Sequence, residues 1–515
     1  MSPIALSIFA SRVAAVCDEM GAVLQRSAFS PNIKDRLDFS CAIFDAHGDL
    51  CAQAAHIPVH MGSMAYAMRD IVSQLEWRKG DMVILNDPFM GGTHLPDVTV
   101  IAPLFVAGQL LAFVANRAHH ADIGSETPGS MPISRTLDEE GMVIPPTLLM
   151  RDSTIVSAVM NQLVGQTSEP EQSYGDFAAQ ISANKTGLSR LGLLVTELGP
   201  DTFNTAVTEL NNYAERLAAN ALQQIPNGVY TFTDVMDSDG LGNEDIPIKV
   251  TLRVEEHQVT VDFTGSAAQT AGNINCPLPV AAAAVYYVFS CLMPANAPIC
   301  QGRFRTIKIL APAGSLVNAL RPAAVAAGNV ETSTRIVDVV MGALAQAIPG
   351  QIPAASHGSM NNIAMGARYS LAGVTRQWDY YETIGGGMGA GPAAHGIDGV
   401  QTHMTNTRNT PIEVLESLYP IRVCRYGLRE GSGGAGKHHG GEGIIREFEF
   451  LEPAALTLLT ERRRHPPWGL NGGAAGKAGR NLLNGQPLPA KLSLSVKPGD
   501  RLTIETAGGG GWGSK

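Results

Sequence analysis

The sequence predicts an α+β protein, with mixed sheets and helices in two closely packed lobes and large glycine-rich loops. Three observations carry this. Stretches of alternating apolar residues recur along the chain, stretches with near-helical apolar spacing stand between them, and glycine runs interrupt both. No repeat of about 20 to 50 residues and no heptad seam is visible, which excludes solenoids and coiled coils.

In chain order, residues 4–28 place Ile8, Val13, Val16, Met20, Val23 and Leu24 at near-helical spacing, which predicts a helix. "DFSCAIFDAHGDLCAQ" reads as a hairpin turning at Ala46-His47-Gly48. "DMVILNDP" and "VTVIAPLFVAGQLLAFVANRA" read as three further strands, with Gly108 at the last turn. A second helix carries Phe203, Val207, Leu210, Ala214 and Leu217 on one face and runs to about Leu222. "IPNG" ends it, because proline cannot continue a helix and Asn-Gly favours a turn. The lobe boundary is placed there: residues 1–225 form an N-terminal lobe bearing the site, and residues 226–515 a β-rich C-terminal lobe with the glycine loops. Beyond it, "IKVTLRVEEHQVTVDFTG" is an alternating hairpin. The apolar run "PVAAAAVYYVFSCLM", Pro279 to Met293, is too short to span a bilayer and reads as a buried helix.

Composition narrows the function classes. A chain of 515 residues that is 45% apolar and only 16% charged is expected to cover part of its surface with another subunit. A net charge of -10, spread along the chain, gives no electrostatic case for nucleic acid or an anionic membrane. Seven cysteines without CxxC spacing suit reduced thiols in the cytoplasm and not a disulfide framework or a cysteine zinc site. Asp18 and Glu19 stand where a signal peptide would need an apolar core.

One stretch gathers chemistry. "NDPFMGGTHLPDVTVIAPLF" and "NRAHHADIG" place His94, Asp97, His119 and His120 at strand ends. Pro96 rules out a helix between His94 and Asp97, so a bent loop must present both. His119 and His120 are adjacent on an extended chain and point to opposite sides, so one of them shares a site with His94. Imidazole nitrogen with carboxylate oxygen suits zinc or manganese, and a histidine–carboxylate hydrogen-bond network is the alternative. "GSGGAGKH", Gly431 to His438, nearly matches a phosphate-binding loop. His438 occupies the position of the magnesium-holding hydroxyl, however, and "HGGEGIIREFEF" continues as turn and strand instead of helix. It is therefore not read as a nucleotide site. "GGGMGAG" and the terminal "GGGGWG" are read as close backbone packing. No G-x-S-x-G elbow or cysteine–histidine motif is present; Glu382 and Glu413 are isolated carboxylates that could serve as bases.

Together, "RLDFSCAIFDAHGDLCAQAAHIPVHMGSM", "NDPFMGGTHLPDVTVIAPLF", "RAHHADIG", "PGSMP", "GNVETSTRI", "ETIGGGMGA", "MTNTRNTPIE" and "GSGGAGKHHGGEG" resemble the hydantoinase B/oxoprolinase family, nearly end to end. The resemblance implies the metal-bearing subunit of an ATP-dependent cyclic-amide hydrolase opening hydantoin, oxoproline or lactam rings. The alternative is a subunit of an ATP-dependent ketone carboxylase using bicarbonate; those counterparts are longer, which favours hydrolysis. The resemblance also implies a hydantoinase A-type partner carrying ATP and magnesium, in a hetero-oligomer with two copies of each subunit. It supports His94, Asp97 and His119 as ligands of a zinc or manganese ion, and points to Asp38 as the fourth, with Asp87 in reserve. His120 and Asp122 are the candidates for catalytic support, orienting a ligand histidine from outside.

Overall fold

The structure is a computed structural model that describes every residue except His56, Ala372 and Gly373. The predicted first helix is α1, Pro3–Ser27, its N-terminus capped by Ser2. A single turn α2, Pro31–Lys34, leads into the predicted hairpin of β1, Phe39–Asp45, and β2, Leu50–Ala55. Asp45 tightens the turn by accepting the His47 and Asp49 amides, and Gly48 takes the positive φ of +85° that closes it. Helix α3, Pro58–Ser73, follows, then β3, Met82–Leu85. The long hairpin of β4, Asp97–Val106, and β5, Gln109–His119, turns at Ala107-Gly108 as expected, both at positive φ. With β6, Thr147–Arg151, and β7, Thr154–Ile155, these strands form one sheet in the order β2-β1-β5-β4-β3-β6-β7.

Both faces of this sheet are covered. On β1 and β5, Ala42, Phe44, Phe113 and Ala115 enter one core, while Cys41, Ile43, Ala112 and Val114 enter another on the opposite face. That is why these strands read as nearly unbroken apolar runs. The second face is roofed by α1 and by three helices: α4, Ser157–Val164; α5, Pro170–Leu198; and α6, Pro200–Leu222. Apolar spacing did not place α5, because its buried stripe is partly polar. Gln180 donates to the Val98 carbonyl and to Asn116, and Asn184 donates to the Val100 carbonyl, each at 2.9 Å. Hydrogen bonds do there what apolar contacts do elsewhere.

The other core joins both sides of residue 225, with Phe44 and Phe113 in the same cluster as Val250 and Ile336. Beyond α6 come β8, Gly228–Ser238, and the predicted hairpin of β9, Glu244–Glu255, and β10, Gln258–Asp262. The predicted buried helix is α7, Leu278–Cys291, which meets α3 where Gly62 lies against Ala283 too closely for any side chain. Strand β11, Ile307–Leu310, completes a sheet ordered β11-β10-β9-β8, and α8, Ser333–Ala347, packs on it. Two further sheets finish the chain. One is built from β12, Asn362–Leu371, β13, Val374–Glu382, and two later strands, Ala454–Leu459 and Lys491–Val496; the other has Gly443–Phe450 near its centre.

The glycine runs pack backbone on backbone, as expected. A Cβ on Gly387 would lie 1.9 Å from the Gly441 oxygen, and one on Gly440 would lie 1.9 Å from the Gly509 oxygen. Their amides pair across the runs, Gly441 to Met388, Gly509 to Gly441 and Gly434 to Gly509. Among the described residues all seven cysteines are free thiols, and no helix is long and apolar enough to cross a membrane.

Candidate metal centre

The centre lies where three neighbouring strands end together. Asp97 opens β4 and is the cross-strand partner of His119, which closes β5. Asp38 immediately precedes β1, and its carbonyl accepts the His119 amide at 3.0 Å. His94 comes from the preceding loop, bent back so that the Asp97 amide reaches the His94 carbonyl at 3.1 Å. Antiparallel pairing therefore brings residues 38, 97 and 119 to one sheet edge, and the Pro96 bend adds residue 94.

Ligand atoms of His94, Asp97 and His119 all lie within 4.8 Å of one another. His94 Nε2 and His119 Nδ1 each stand 3.3 Å from Asp97 Oδ1. All three side chains are buried, yet His94 Nε2, Asp97 Oδ1 and His119 Nε2 have no hydrogen-bond partner. Buried polar atoms without partners are costly, and a cation at their meeting point would satisfy several at once. The remaining atoms are held from outside. Asp97 Oδ2 accepts from Thr93 Oγ1 at 2.7 Å and Asn329 Nδ2 at 3.3 Å, and faces His60 Nε2 at 3.2 Å. His94 Nδ1 reaches the Ala326 carbonyl at 3.3 Å, leaving Nε2 as the free donor atom. Outer contacts of this kind fix ligand orientation. The residues present therefore fit a divalent ion. Asp38 is buried next to His119 in the sheet and its carboxylate makes no side-chain hydrogen bond among the described residues, but the ligand atoms within 4.8 Å of one another are those of His94, Asp97 and His119 without it.

Electrostatics follow the geometry. Burial works against the Asp97 carboxylate, but His94, His60 and His119 overcome it and hold its pKa well below the usual range. Burial pushes His119 towards its neutral, ligating form. Burial also opposes charge on His94, but Asp97 outweighs it and raises the His94 pKa, so a proton and a cation compete for the same carboxylate oxygen.

Other expected residues are placed elsewhere. His120 points to the opposite face, its Nε2 3.0 Å from Gln180 Oε1 and its ring stacked on Phe177. Asp122 accepts from the Gly124 amide and from Ser168. Neither touches a residue of the cluster by these contacts. Asp87 caps the turn Pro88–Met90 through the Phe89 amide and pairs with Arg321. Glu382 is fully buried against Arg446 and takes the Tyr380 hydroxyl, while Glu413 is exposed in the first turn of a short helix. A cavity of about 750 Å³ is lined by Tyr66, Ile71, Phe89, Leu278 and Arg321 among others, but by none of the cluster's side chains.

Sequence reasoning missed four residues that the structure brings to the centre: His60, Thr93, Asn329 and Tyr381, whose ring stacks on His119. His60, Asn329 and Tyr381 are far from Asp97 in sequence, so no spacing could mark them. Glu331 lies close behind, accepting from the Met360 amide and Asn362 Nδ2, and burial pushes its pKa up from 4.5 to about 8. A raised folded-state pKa contributes stability that is full below about pH 4.5 and is lost as pH rises through about 8. Glu331→Gln, which keeps an oxygen acceptor, is expected to leave the melting temperature at pH 4 nearly unchanged and to raise it at pH 9. An equal change at both pH values would remove Glu331 from this role.

Comparison with known proteins gives a consistent picture. The hydantoinase B/oxoprolinase family model matches residues 2–515. 5-Oxoprolinase 1 of Arabidopsis thaliana is 40% identical over 99% of the chain; the chain spans only 42% of that protein's length. The ATP-dependent caprolactamase of Pseudomonas jessenii superposes with a TM-score of 0.92 at 27% identity, over 100% of this chain and 91% of that one. Acetone carboxylase in its nucleotide-free structure gives a TM-score of 0.86 at 17% identity, over 99% and 76%, a likeness of fold alone.

Proposed function

From the premise that this chain belongs to the hydantoinase B/oxoprolinase family, we propose that it is the metal-bearing subunit of an ATP-dependent cyclic-amide hydrolase. The observation that carries the reading is the buried cluster of two histidines and Asp97, whose ligand atoms lie within 4.8 Å of one another, with His94 Nε2 and Asp97 Oδ1 unpartnered while His94 Nδ1 and Asp97 Oδ2 are tied to protein. Asp38 is proposed as the fourth ligand. Zinc and manganese both suit two imidazoles and two carboxylates.

A ring amide resists water because resonance makes its carbonyl a poor electrophile. In this reading an A-type partner, bearing ATP and magnesium, transfers a phosphoryl group to the amide oxygen. Water then adds to that carbon, the ring C–N bond breaks as the nitrogen takes a proton, and a second water hydrolyses the resulting acyl phosphate to free phosphate and the linear acid. Held by His94, Asp97 and His119, a divalent ion would supply Lewis acidity and would lower the pKa of bound water from about 15.7 towards neutrality. The chain's own residues keep the site in register. Thr93 and Asn329 hold Asp97 Oδ2 so that Oδ1 faces inward. Arg117 ties β5 to Thr99 on β4, to Ser63 on α3 and, through the Gly91 carbonyl, to the loop ahead of His94. Glu140 accepts the Val325 and Ala326 amides and so steadies the carbonyl that holds His94. The partner is supported by the oxoprolinase of which this chain spans 42%, and by the absence of a phosphate-binding loop in the sequence.

Co-expression with the ATP-binding partner and a panel of lactams, hydantoins and oxoproline tests the reading. Oxygen from labelled water should enter the new carboxylate, and bicarbonate-free buffer should leave the rate unchanged. A strict bicarbonate requirement with a ketone substrate would replace hydrolysis by carboxylation.

A further inference from the structure

The two histidines of the cluster are held in different ways. The second nitrogen of His94 is tied to a backbone carbonyl, but His119 has no such tie: Nδ1 faces Asp97 and Nε2 is buried without a hydrogen-bond partner. What touches the His119 ring instead is Tyr381, with centroids 4.6 Å apart and planes 15° from parallel.

The Tyr381 ring is itself fixed at its tip and its face. Its hydroxyl donates to Asn362 Oδ1. Asn362 Nδ2 in turn donates to Glu331 Oε1 at 3.0 Å, so the amide presents its oxygen, not its nitrogen, to the phenol. The Arg36 guanidinium lies 4.8 Å from the Tyr381 ring centroid and donates to the Tyr381 carbonyl at 2.9 Å, which anchors the residue at its backbone end. Imidazole χ2 is a broad, two-fold torsion, so a ligand histidine needs something to set its plane.

Resting on the metal reading above, we propose that Tyr381 is a positioning residue of the centre. The column Glu331–Asn362–Tyr381 sets the plane of the His119 ring by stacking, in place of the outer hydrogen bond that His94 has. Rotation of the imidazole about χ2 would drive its edge into a phenol face that cannot retreat.

The test compares Tyr381→Phe and Tyr381→Leu in the full chain. Zinc affinity is measured by chelator competition, geometry by the visible spectrum of the cobalt(II)-loaded protein, and folding by melting of the metal-free form. Tyr381→Leu should weaken zinc by about 10- to 100-fold and alter the cobalt spectrum, whereas Tyr381→Phe, which keeps the stacked ring but loses the hydroxyl anchor to Asn362, should hold zinc within about threefold of the parent while still shifting the cobalt spectrum. Parental zinc affinity and an unchanged cobalt spectrum in Tyr381→Leu would overturn the proposal and leave the metal centre standing. If the parent chain itself binds no zinc or cobalt, the metal reading falls and the column with it. Should Tyr381→Leu not fold, Asn362→Ala keeps the ring and removes its anchor. A cobalt spectrum identical to the parent's would then overturn the proposal, and a shifted one would support it.

Discussion

His94→Ala is expected to strip the chain of its divalent ion. His94 Nε2 is buried, faces Asp97 Oδ1, and has no other partner, so nothing nearby replaces the lost nitrogen. The fall in affinity should exceed the roughly 10- to 100-fold that loss of an outer contact costs. Elemental analysis and chelator competition measure it, and ring opening with the partner should fall in step. Two aspartates sharpen the result. Asp38→Ala should lose metal, because Asp38 is buried next to His119, whose amide its carbonyl accepts, and its carboxylate makes no side-chain hydrogen bond among the described residues. Asp87→Ala should keep metal, because Asp87 is already occupied by the Phe89 amide and Arg321. Full metal content in His94→Ala would remove that residue from the ligand set, and the reverse pattern for the aspartates would exchange them.

Arg446→Met should produce the largest loss of stability, about 3 to 5 kcal/mol, by leaving a buried carboxylate without its partner. Arg446 and Glu382 are both fully buried, with Nε 2.7 Å from Oε1 and Nη2 2.8 Å from Oε2. Methionine retains much of the apolar volume that the arginine packs against Phe448, so the charge and not the cavity dominates. Chemical denaturation of the metal-free chain reads the loss. Adding Glu382→Gln should restore much of it, since the remaining neutral group still meets the Tyr380 hydroxyl. A loss below about 1 kcal/mol would show that the pair is screened despite its burial.

Local pattern carried much of the fold. The two hairpins Phe39–Ala55 and Asp97–His119 follow from apolar runs divided by turn residues that tolerate positive φ, and the helix ending at Leu222 follows from its apolar stripe and the proline after it. Helix α5 escaped because Gln180 and Asn184 are buried by hydrogen bonding, which interrupts its apolar period with polar residues. In the site, His94 and Asp97 were visible as a bent pair, and the strand geometry at His119-His120 assigned one histidine to each face before any fold was known. Asp38 was marked only by family likeness, since its meeting with His119 depends on which strands pair.

By itself the sequence determined the strands, the turns and the chemical types gathered at residues 94 to 119, because those depend on neighbours a few residues apart. Only the tertiary structure decided that His60, Asn329 and Tyr381 surround Asp97 and His119. Those contacts join positions 37, 232 and 262 residues apart, and they arise because two cores clamp one sheet from both faces. Which side chains meet at such a seam is set by packing and register, and neither leaves a period in the chain.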